Sequence, residues 1–169
     1  NVPTYFIVQD GSYIDCTEYT FKEIMAGNFK EINPEKLTLK DWETPVSTIF
    51  TEVRLKSYIE MRGADAGGYK SLCALPALWT GLIYCNNCID EVMELTNKWT
   101  YEEINGFKND IAKIGLHAKI DNQTGWDIAK KLLDSSSKGL SSRSKTNSFG
   151  DDETIHLDYL FQIVDSQES

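Results

Sequence analysis

Charged and apolar residues alternate between positions 52 and 62 in a pattern that could support phosphate chemistry. The charged residues are Glu52, Arg54, Lys56, Glu60 and Arg62, and the apolar ones are Val53, Leu55, Ile59 and Met61. Because residues two apart in a strand share a face, the pattern predicts one or two β-strands with an apolar face on the core and a charged face turned outward. Carboxylate oxygens bind Mg²⁺, and a guanidinium offers paired donors to phosphate oxygens. The charged face therefore combines a candidate metal ligand with candidate phosphate-binding cations.

A salt-bridged sheet surface facing solvent would give the same alternation. The distribution of arginine bears on this choice, because two of the three arginines in the sequence, Arg54 and Arg62, lie in this stretch and only Arg143 lies elsewhere. Geometry separates the two interpretations. A functional face should line a concave, partly enclosed cleft, whereas a solvated face should lie flat and exposed with its cations spread apart.

The elements that must position this face are strands in the first part of the chain and helices in the second. Asp10-Gly11 separates two short β-rich runs, and Thr20 with Glu23 has the spacing of a capping box that begins a short helix. Residues 28–45 contain two prolines and predict a long connection. Residues 72–84 predict an apolar buried helix, and residues 89–99, 100–114 and 125–133 predict three amphipathic helices. A mobile linker rich in serine, lysine and glycine is predicted over 135–148, and a last helix over 151–163. Strands followed by helices indicate an α+β fold.

Composition bounds the classes of function. The 169 residues suffice for one core of ordinary size, and 41% of them are hydrophobic. A net charge of −9 argues against non-specific binding of nucleic acid, which requires a basic surface. We find no apolar run long enough to span a bilayer and expect no membrane partner.

The four cysteines give no clear site in the sequence. Cys85-Asn86-Asn87-Cys88 is a lone Cys-x-x-Cys, and a structural zinc ion needs two further ligands. The two histidines, His117 and His156, follow no ligand spacing, and a thioredoxin-like strand-then-helix context is not visible. Reduced thiols are the simplest interpretation of all four.

The sequence of the charged stretch resembles that of a known enzyme family. Glu-Val-Arg-Leu-Lys-Ser-Tyr-Ile-Glu-Met-Arg-Gly-Ala-Asp at residues 52–65, followed by Leu-Cys-Ala-Leu-Pro-Ala-Leu-Trp-Thr-Gly-Leu-Ile-Tyr at 72–84, is similar to glutamate–cysteine ligases of the plant and proteobacterial type. These enzymes are also called γ-glutamylcysteine synthetases. The resemblance departs at Tyr69-Lys70-Ser71, where the family tends to carry two arginines.

This resemblance implies a fold, an activity and a set of partners. The fold would be a portion of a glutamine-synthetase-like antiparallel sheet followed by packed helices. Residues 1–169 would form the C-terminal portion of one catalytic domain, strand-rich over 1–66 and helical over 72–169, with the N-terminal part of the same enzyme missing. The reaction would join the γ-carboxyl of glutamate to cysteine with ATP and Mg²⁺, through a γ-glutamyl phosphate, as the first step of glutathione biosynthesis. The location would be the cytoplasm of a bacterium or a plastid of a plant.

The resemblance also implies roles for individual residues. Glu60-Met61-Arg62 matches the superfamily's Glu-x-Arg, so Glu60 would bind Mg²⁺ and Arg62 would face the transferred phosphate. Arg54 would bind a phosphate or the substrate carboxylate, with Lys56 as a weaker candidate. Asp65 would hold the loop or orient an arginine. Two alternatives stay open: another carboxylate–amine ligase of this superfamily, or a non-catalytic fragment that binds a ligand or partner.

Overall fold

The computed structural model describes residues 3–167 and divides into two compact units, Asn1–Ala64 and Asp65–Ser169. Three two-stranded antiparallel sheets and seven α-helices occur in the described part of the chain. This composition confirms the predicted α+β class.

The first unit begins with the predicted hairpin and short helix. Strands β1 (Phe6–Gln9) and β2 (Ser12–Asp15) pair with Ile7 opposite Ile14, and the turn between them has positive φ at Asp10 and Gly11. Helix α1 (Phe21–Met25) starts at the predicted capping box, where the Glu23 backbone N–H donates to the Thr20 hydroxyl at 3.3 Å. The core of this unit consists of Ile7, Cys16, Phe21, Ile24 and Ile32.

The connection predicted over residues 28–45 is wrong, because it contains a 3₁₀ turn at Pro34–Lys36 and helix α2 (Leu39–Ser47). A second cap begins α2: the Thr38 hydroxyl and backbone N–H donate to the Asp41 carboxylate at 2.6 and 2.8 Å. Pro45 lies inside the helix rather than ending it. The N-terminal cap therefore stabilises a helix in a segment whose two prolines had indicated irregular structure.

Strands β3 (Val53–Leu55) and β4 (Ile59–Met61) form the charged hairpin. Their antiparallel register places Val53 opposite Met61, Arg54 opposite Glu60 and Leu55 opposite Ile59. The prediction that the apolar face packs on the core is wrong: Leu55 is 81% exposed and Ile59 is 62% exposed. The core residues of the first unit come from elsewhere in the sequence, and β3 and β4 contribute none of them.

The second unit is a helical assembly with a minor hairpin. Its elements are α3 (Tyr69–Ile83), α4 (Asn86–Thr96), α5 (Tyr101–Ile114), β5 (Lys119–Ile120), β6 (Gln123–Thr124), α6 (Gly125–Arg143) and α7 (Asp158–Ser166). The core consists of Ala77, Trp126, Leu133, Leu140, Leu157 and Val164. Helix α3 is not buried on all sides as predicted, since Leu72 and Ile83 are exposed. No single helix in the described ranges is long and apolar enough to cross a bilayer; α3 and α4 meet that criterion only as a pair bent by 93°.

The linker predicted over residues 135–148 is wrong, because α6 continues to Arg143 and packs closely on α3. Ser135 and Ser136 are buried, and the Ser136 hydroxyl donates to the Leu78 carbonyl at 3.0 Å. A Cβ placed on Gly139 would overlap the backbone carbonyl of Gly81 on α3. Small residues in this segment thus serve a close helix–helix contact rather than a flexible connection.

Candidate active site on the charged hairpin

The register of β3 and β4 brings Arg54 and Glu60 into direct contact. They are cross-strand partners, so their side chains leave the same face of the hairpin. Arg54 Nε donates to Glu60 Oε2 at 2.7 Å, a short charge-assisted hydrogen bond. Both side chains are about two-thirds covered, with 32% and 29% of their surface exposed. The pair therefore holds the Glu60 carboxylate in a defined position at the edge of the hairpin.

Arg62 completes the cluster from the end of β4. Its backbone N–H donates to the Glu52 carbonyl at 2.8 Å, which extends the pairing beyond the strand ends. Its Nη1 lies 3.7 Å from the same Glu60 oxygen, and its guanidinium lies 5.1 Å from the centre of the Phe50 ring. Nη1 is buried and has no hydrogen-bond acceptor among the described residues. Arg62 is thus held in place while one of its donors stays unused.

The electrostatics of the cluster keep Glu60 ionised. The hydrogen bond from Arg54 lowers the pKa of the Glu60 carboxyl below its usual value, and the positive charges of Arg54, Lys56 and Arg62 act in the same direction. Partial desolvation opposes this effect without reversing it. An ionised carboxylate flanked by guanidinium groups can accept a hard cation while the cations nearby receive an anion.

The other predicted residues, Glu52, Lys56 and Asp65, are exposed. Lys56 Nζ lies 5.8 Å from the centre of the Tyr58 ring, and Lys56 is exposed. Glu52 is also exposed, with its carboxylate close to Gly63, where a Cβ would come within 2.6 Å of Oε2. Asp65 begins the second unit and is exposed. The structure therefore brings together Arg54, Glu60 and Arg62.

The predicted alternation of the hairpin is confirmed, but the charged face is covered more than the apolar face, contrary to the prediction. Arg54, Glu60 and Arg62 lie on one face, as the spacing predicts, and both arginines approach the Glu60 carboxylate. This charged face is the more covered of the two, whereas Val53, Leu55 and Ile59 are exposed. The cations of this face are thus gathered around one carboxylate rather than spread apart.

Phe50 is a member of the cluster that the sequence analysis missed. Its ring carries the Arg62 guanidinium, an arrangement that fixes a planar cation without using its N–H donors. The signal was present in the sequence, because extending the alternation two residues back from Glu52 places Phe50 on the charged face.

The cluster does not form a complete metal site within the residues that the structure describes. No group of three or more His, Cys, Asp or Glu side chains in residues 3–167 is arranged to hold a metal ion. Glu60 offers one carboxylate of the kind that Mg²⁺ prefers, and Mg²⁺ commonly takes one or two protein carboxylates with phosphate and water completing its shell. Glu60 therefore fits the role of a partial magnesium ligand.

Comparison with known proteins identifies the family to which the chain belongs. The sequence matches the model of glutamate-cysteine ligase family 2 (GCS2) over residues 1–168, and the chain belongs to that family. The resemblance seen in the sequence is thereby confirmed.

Plant enzymes are among the similar proteins. Glutamate–cysteine ligase A, chloroplastic, of Oryza sativa subsp. indica is 41% identical over 143 residues, which cover 85% of this chain and 29% of the rice protein. The chloroplastic glutamate–cysteine ligase of Solanum lycopersicum is 38% identical over 164 residues, or 97% of this chain and 30% of the tomato protein. The Arabidopsis thaliana enzyme is 39% identical over 143 residues, with 27% of its length covered. The chain thus spans less than a third of the length of these relatives.

Proposed function

We propose that Arg54, Glu60 and Arg62 form part of the phosphate-binding site of an ATP-dependent ligase. This ligase joins the γ-carboxyl of glutamate to the amine of cysteine, the first step of glutathione biosynthesis. The observation that carries the proposal is the contact of Arg54, Glu60 and Arg62 on one half-covered face, with a buried Nη1 of Arg62 that has no acceptor in residues 3–167. Family membership supports the same conclusion. The substrates are therefore glutamate, cysteine and ATP.

The reaction assigns a role to each member of the cluster. ATP transfers its terminal phosphoryl group to the glutamate side chain, and the cysteine amine then displaces phosphate from the γ-glutamyl phosphate. The barrier depends on offsetting the charge of the transferring phosphoryl group rather than on covalent help from the protein. Arg62 donates to the oxygens of that group through the N–H groups of its guanidinium. Arg54 fixes Glu60 and directs its other N–H groups to a phosphate or to the substrate carboxylate.

Glu60 is the proposed ligand of Mg²⁺. Mg²⁺ bound there would neutralise phosphate charge alongside the two guanidinium groups. The lowered pKa of Glu60 keeps the carboxylate available at neutral pH. Lys56 is a weaker phosphate-binding candidate because its side chain lies outside the contact, and Asp65 is proposed to hold the following loop or to orient an arginine.

The proposal extends to the fold around the hairpin. We place residues 1–169 in the C-terminal portion of one catalytic domain and assign β3 and β4 to a glutamine-synthetase-like antiparallel sheet. The exposed apolar face of Val53, Leu55 and Ile59 supports this assignment, because an apolar sheet face of that kind normally packs against a further layer. Further carboxylates for Mg²⁺ are expected from other parts of such a domain.

A second candidate is a ligand-binding role without catalysis for these residues alone. The observation that favours it is the single carboxylate of the cluster, since the described residues contain no group of three metal ligands. Another carboxylate–amine ligase of the same superfamily would use an equivalent Glu-x-Arg pair, so the substrate requirement has to be measured.

The test is to follow ADP release by the full-length protein that carries this sequence, with the Glu60→Gln variant and a matched control. We expect release to require both glutamate and cysteine, and Glu60→Gln to raise the Mg²⁺ concentration needed for half-maximal rate by about tenfold or more. Glu153→Gln is the control, because Glu153 accepts from Arg143 Nε at 3.0 Å and is exposed to a similar extent, 32% against 29% for Glu60. Release with an amine other than cysteine would favour the other ligase. An unchanged Mg²⁺ requirement in Glu60→Gln would remove Glu60 from the metal site.

A further inference from the structure

Two cysteines meet at the start of α4, within the second unit. Cys85 is the residue that precedes the helix, and Cys88 occupies its third position. The two sulfur atoms are 2.7 Å apart, and both cysteines are reduced. A Cys-x-x-Cys that begins a helix is the arrangement in which the two thiols can exchange a bond with little backbone movement.

The two thiols differ in exposure. Cys85 is half-buried, whereas Cys88 is 2% exposed and lies against α6, with its Sγ 3.3 Å from the Ser135 carbonyl. An external reagent can therefore reach Cys85 but not Cys88. The buried thiol in turn contacts the sulfur that such a reagent would attack or modify.

The surroundings also give the two thiols opposite acidity. The Cys88 thiol donates toward Cys85, and the backbone N–H groups of Cys88 and Asn87 point to the same sulfur. Together they lower the pKa of Cys85, and desolvation by burial and the charge of Glu91 only partly offset this. Burial raises the pKa of Cys88. Cys85 is thus the nucleophile of the pair, and Cys88 is held as a protonated thiol until Cys85 has reacted.

The other two cysteines lack these features. Cys16 is fully buried in the core of the first unit, and burial raises the pKa of its thiol. Cys73 on α3 is half-buried, as Cys85 is, but it has no second thiol beside it. Among the four cysteines, all of which lie in the described residues, the structure shows a sulfur–sulfur contact at Cys85 and Cys88 alone. Cys73 therefore provides an internal reference for simple exposure.

We propose that Cys85 and Cys88 form a reversible dithiol–disulfide site that reacts with small disulfides. The Cys85 thiolate attacks one sulfur of the disulfide R–S–S–R, forms a mixed disulfide with it and expels the first R–S⁻, which takes up a proton. Cys88 then loses its proton to solvent and attacks Cys85 Sγ, which expels the second R–S⁻ and closes the Cys85–Cys88 bond. The protein loses two hydrogens, and the small disulfide is reduced to two R–SH molecules.

Closure of this bond would alter the contact between α4 and α6. Cys88 would lose its single S–H, the hydrogen for which Cys85 Sγ and the Ser135 carbonyl, 3.3 Å from Cys88 Sγ, are alternative acceptors. The residue preceding α4 would also become covalently tied to the first turn of the helix. The site uses none of the residues to which the proposed ligase function assigns a role, so each proposal can fail without the other.

The test is to treat the purified full-length protein with bis(2-hydroxyethyl) disulfide at neutral pH, quench with acid, alkylate the remaining thiols and map each cysteine by peptide mass. We expect the peptide containing Cys85 and Cys88 to lose two hydrogens, with no retained mercaptoethanol, on the order of tenfold faster than Cys73 gains a mercaptoethanol adduct. Dithiothreitol should restore both thiols. This measurement needs no substitution, so misfolding of a variant cannot obscure it.

Two variants separate the roles of the thiols. Cys88→Ser should retain mercaptoethanol on Cys85 as a stable mixed disulfide, because the resolving thiol is gone. Cys85→Ser should leave Cys88 unmodified over the same period, because Cys88 is buried. The proposal is overturned if wild-type protein retains the adduct on Cys85, if Cys73 reacts as fast as the pair, or if Cys88 reacts first in either background.

Discussion

Replacing Arg62 by alanine tests the candidate active site most directly. Its Nη1 is buried with no acceptor among the described residues, and the side chain is fixed by the Phe50 ring and by Glu60 at 3.7 Å. A donor that is already oriented and carries no competing hydrogen bond can bind a phosphoryl oxygen without first breaking another contact. Removal of Arg62 should therefore affect the transition state more than the binding of substrates.

The expected loss follows from this preorganisation. Removing one preorganised donor from a site where charge develops typically lowers kcat by about 10² to 10³, equivalent to about 3 to 4 kcal/mol of barrier. Partial exposure of Arg62 places the expected value at the lower end, about a hundredfold, because solvent screens part of the interaction. The KM for ATP should change much less than kcat, since the loss concerns the transferring group.

The assay is steady-state formation of γ-glutamylcysteine by the full-length protein, with kcat and KM determined for ATP. Arg143→Ala is a matched control: Arg143 Nε donates to Glu153 at 3.0 Å, its guanidinium lies 5.6 Å from the centre of the Tyr84 ring, and its side chain is 30% exposed. This control has the same type of ion pair and aromatic contact on different elements. Near-normal kcat in Arg62→Ala, or an equal loss in Arg143→Ala, would refute the assignment.

Three further predictions concern acidity, packing and the activity of the isolated residues. Because the pKa of Glu60 is lowered in the folded protein, its ion pair stabilises the fold above the ordinary Glu pKa and loses that effect as pH falls through the lowered value. In urea unfolding, the difference in free energy of unfolding between wild type and Glu60→Gln should be constant near neutrality and should shrink below about pH 4. Gly139→Ala should destabilise the helical unit by about 1 to 3 kcal/mol or more in thermal unfolding, because the added Cβ would overlap the Gly81 carbonyl. The control is Gly106→Ala on α5, where a Cβ meets nothing within 4 Å; it should stabilise the unit by about 0.5 to 1 kcal/mol in the same experiment. The purified 169 residues alone should form no γ-glutamylcysteine, because the described part holds no group of three metal ligands; ATP-dependent product from them would contradict the proposed division of the site.

The spacing of the charged hairpin was sufficient to predict its alternation and the face that its charged residues share, but not which of them would pair. Arg54 and Glu60 are six positions apart, and a turn between them at residues 56–58 makes them cross-strand neighbours. The sequence could not predict which face would be covered. Burial depends on what else packs nearby, and apolar residues on a strand predict only that some layer should cover them.

The errors in helix prediction have two different physical causes. Helix α2 was missed because Pro45 was given more weight than the cap formed by Thr38 and Asp41. The end of α6 was missed because a segment rich in serine and glycine has a low intrinsic preference for helix. Tertiary packing reverses that preference here, since Ser136 and Gly139 permit a contact with α3 that larger side chains would prevent.

The exposed apolar face of β3 and β4 affects the tendency of the protein to aggregate in solution. Each strand has one neighbour, so each leaves one edge open within the described residues, and Leu55 and Ile59 present apolar side chains beside those edges. Open edges next to exposed apolar residues are templates for association between chains, and charged residues on or near an edge oppose it. Arg54, Lys56 and Glu60 are therefore expected to act as gatekeepers against aggregation. Neutralising them would lower solubility even in a protein that catalyses nothing.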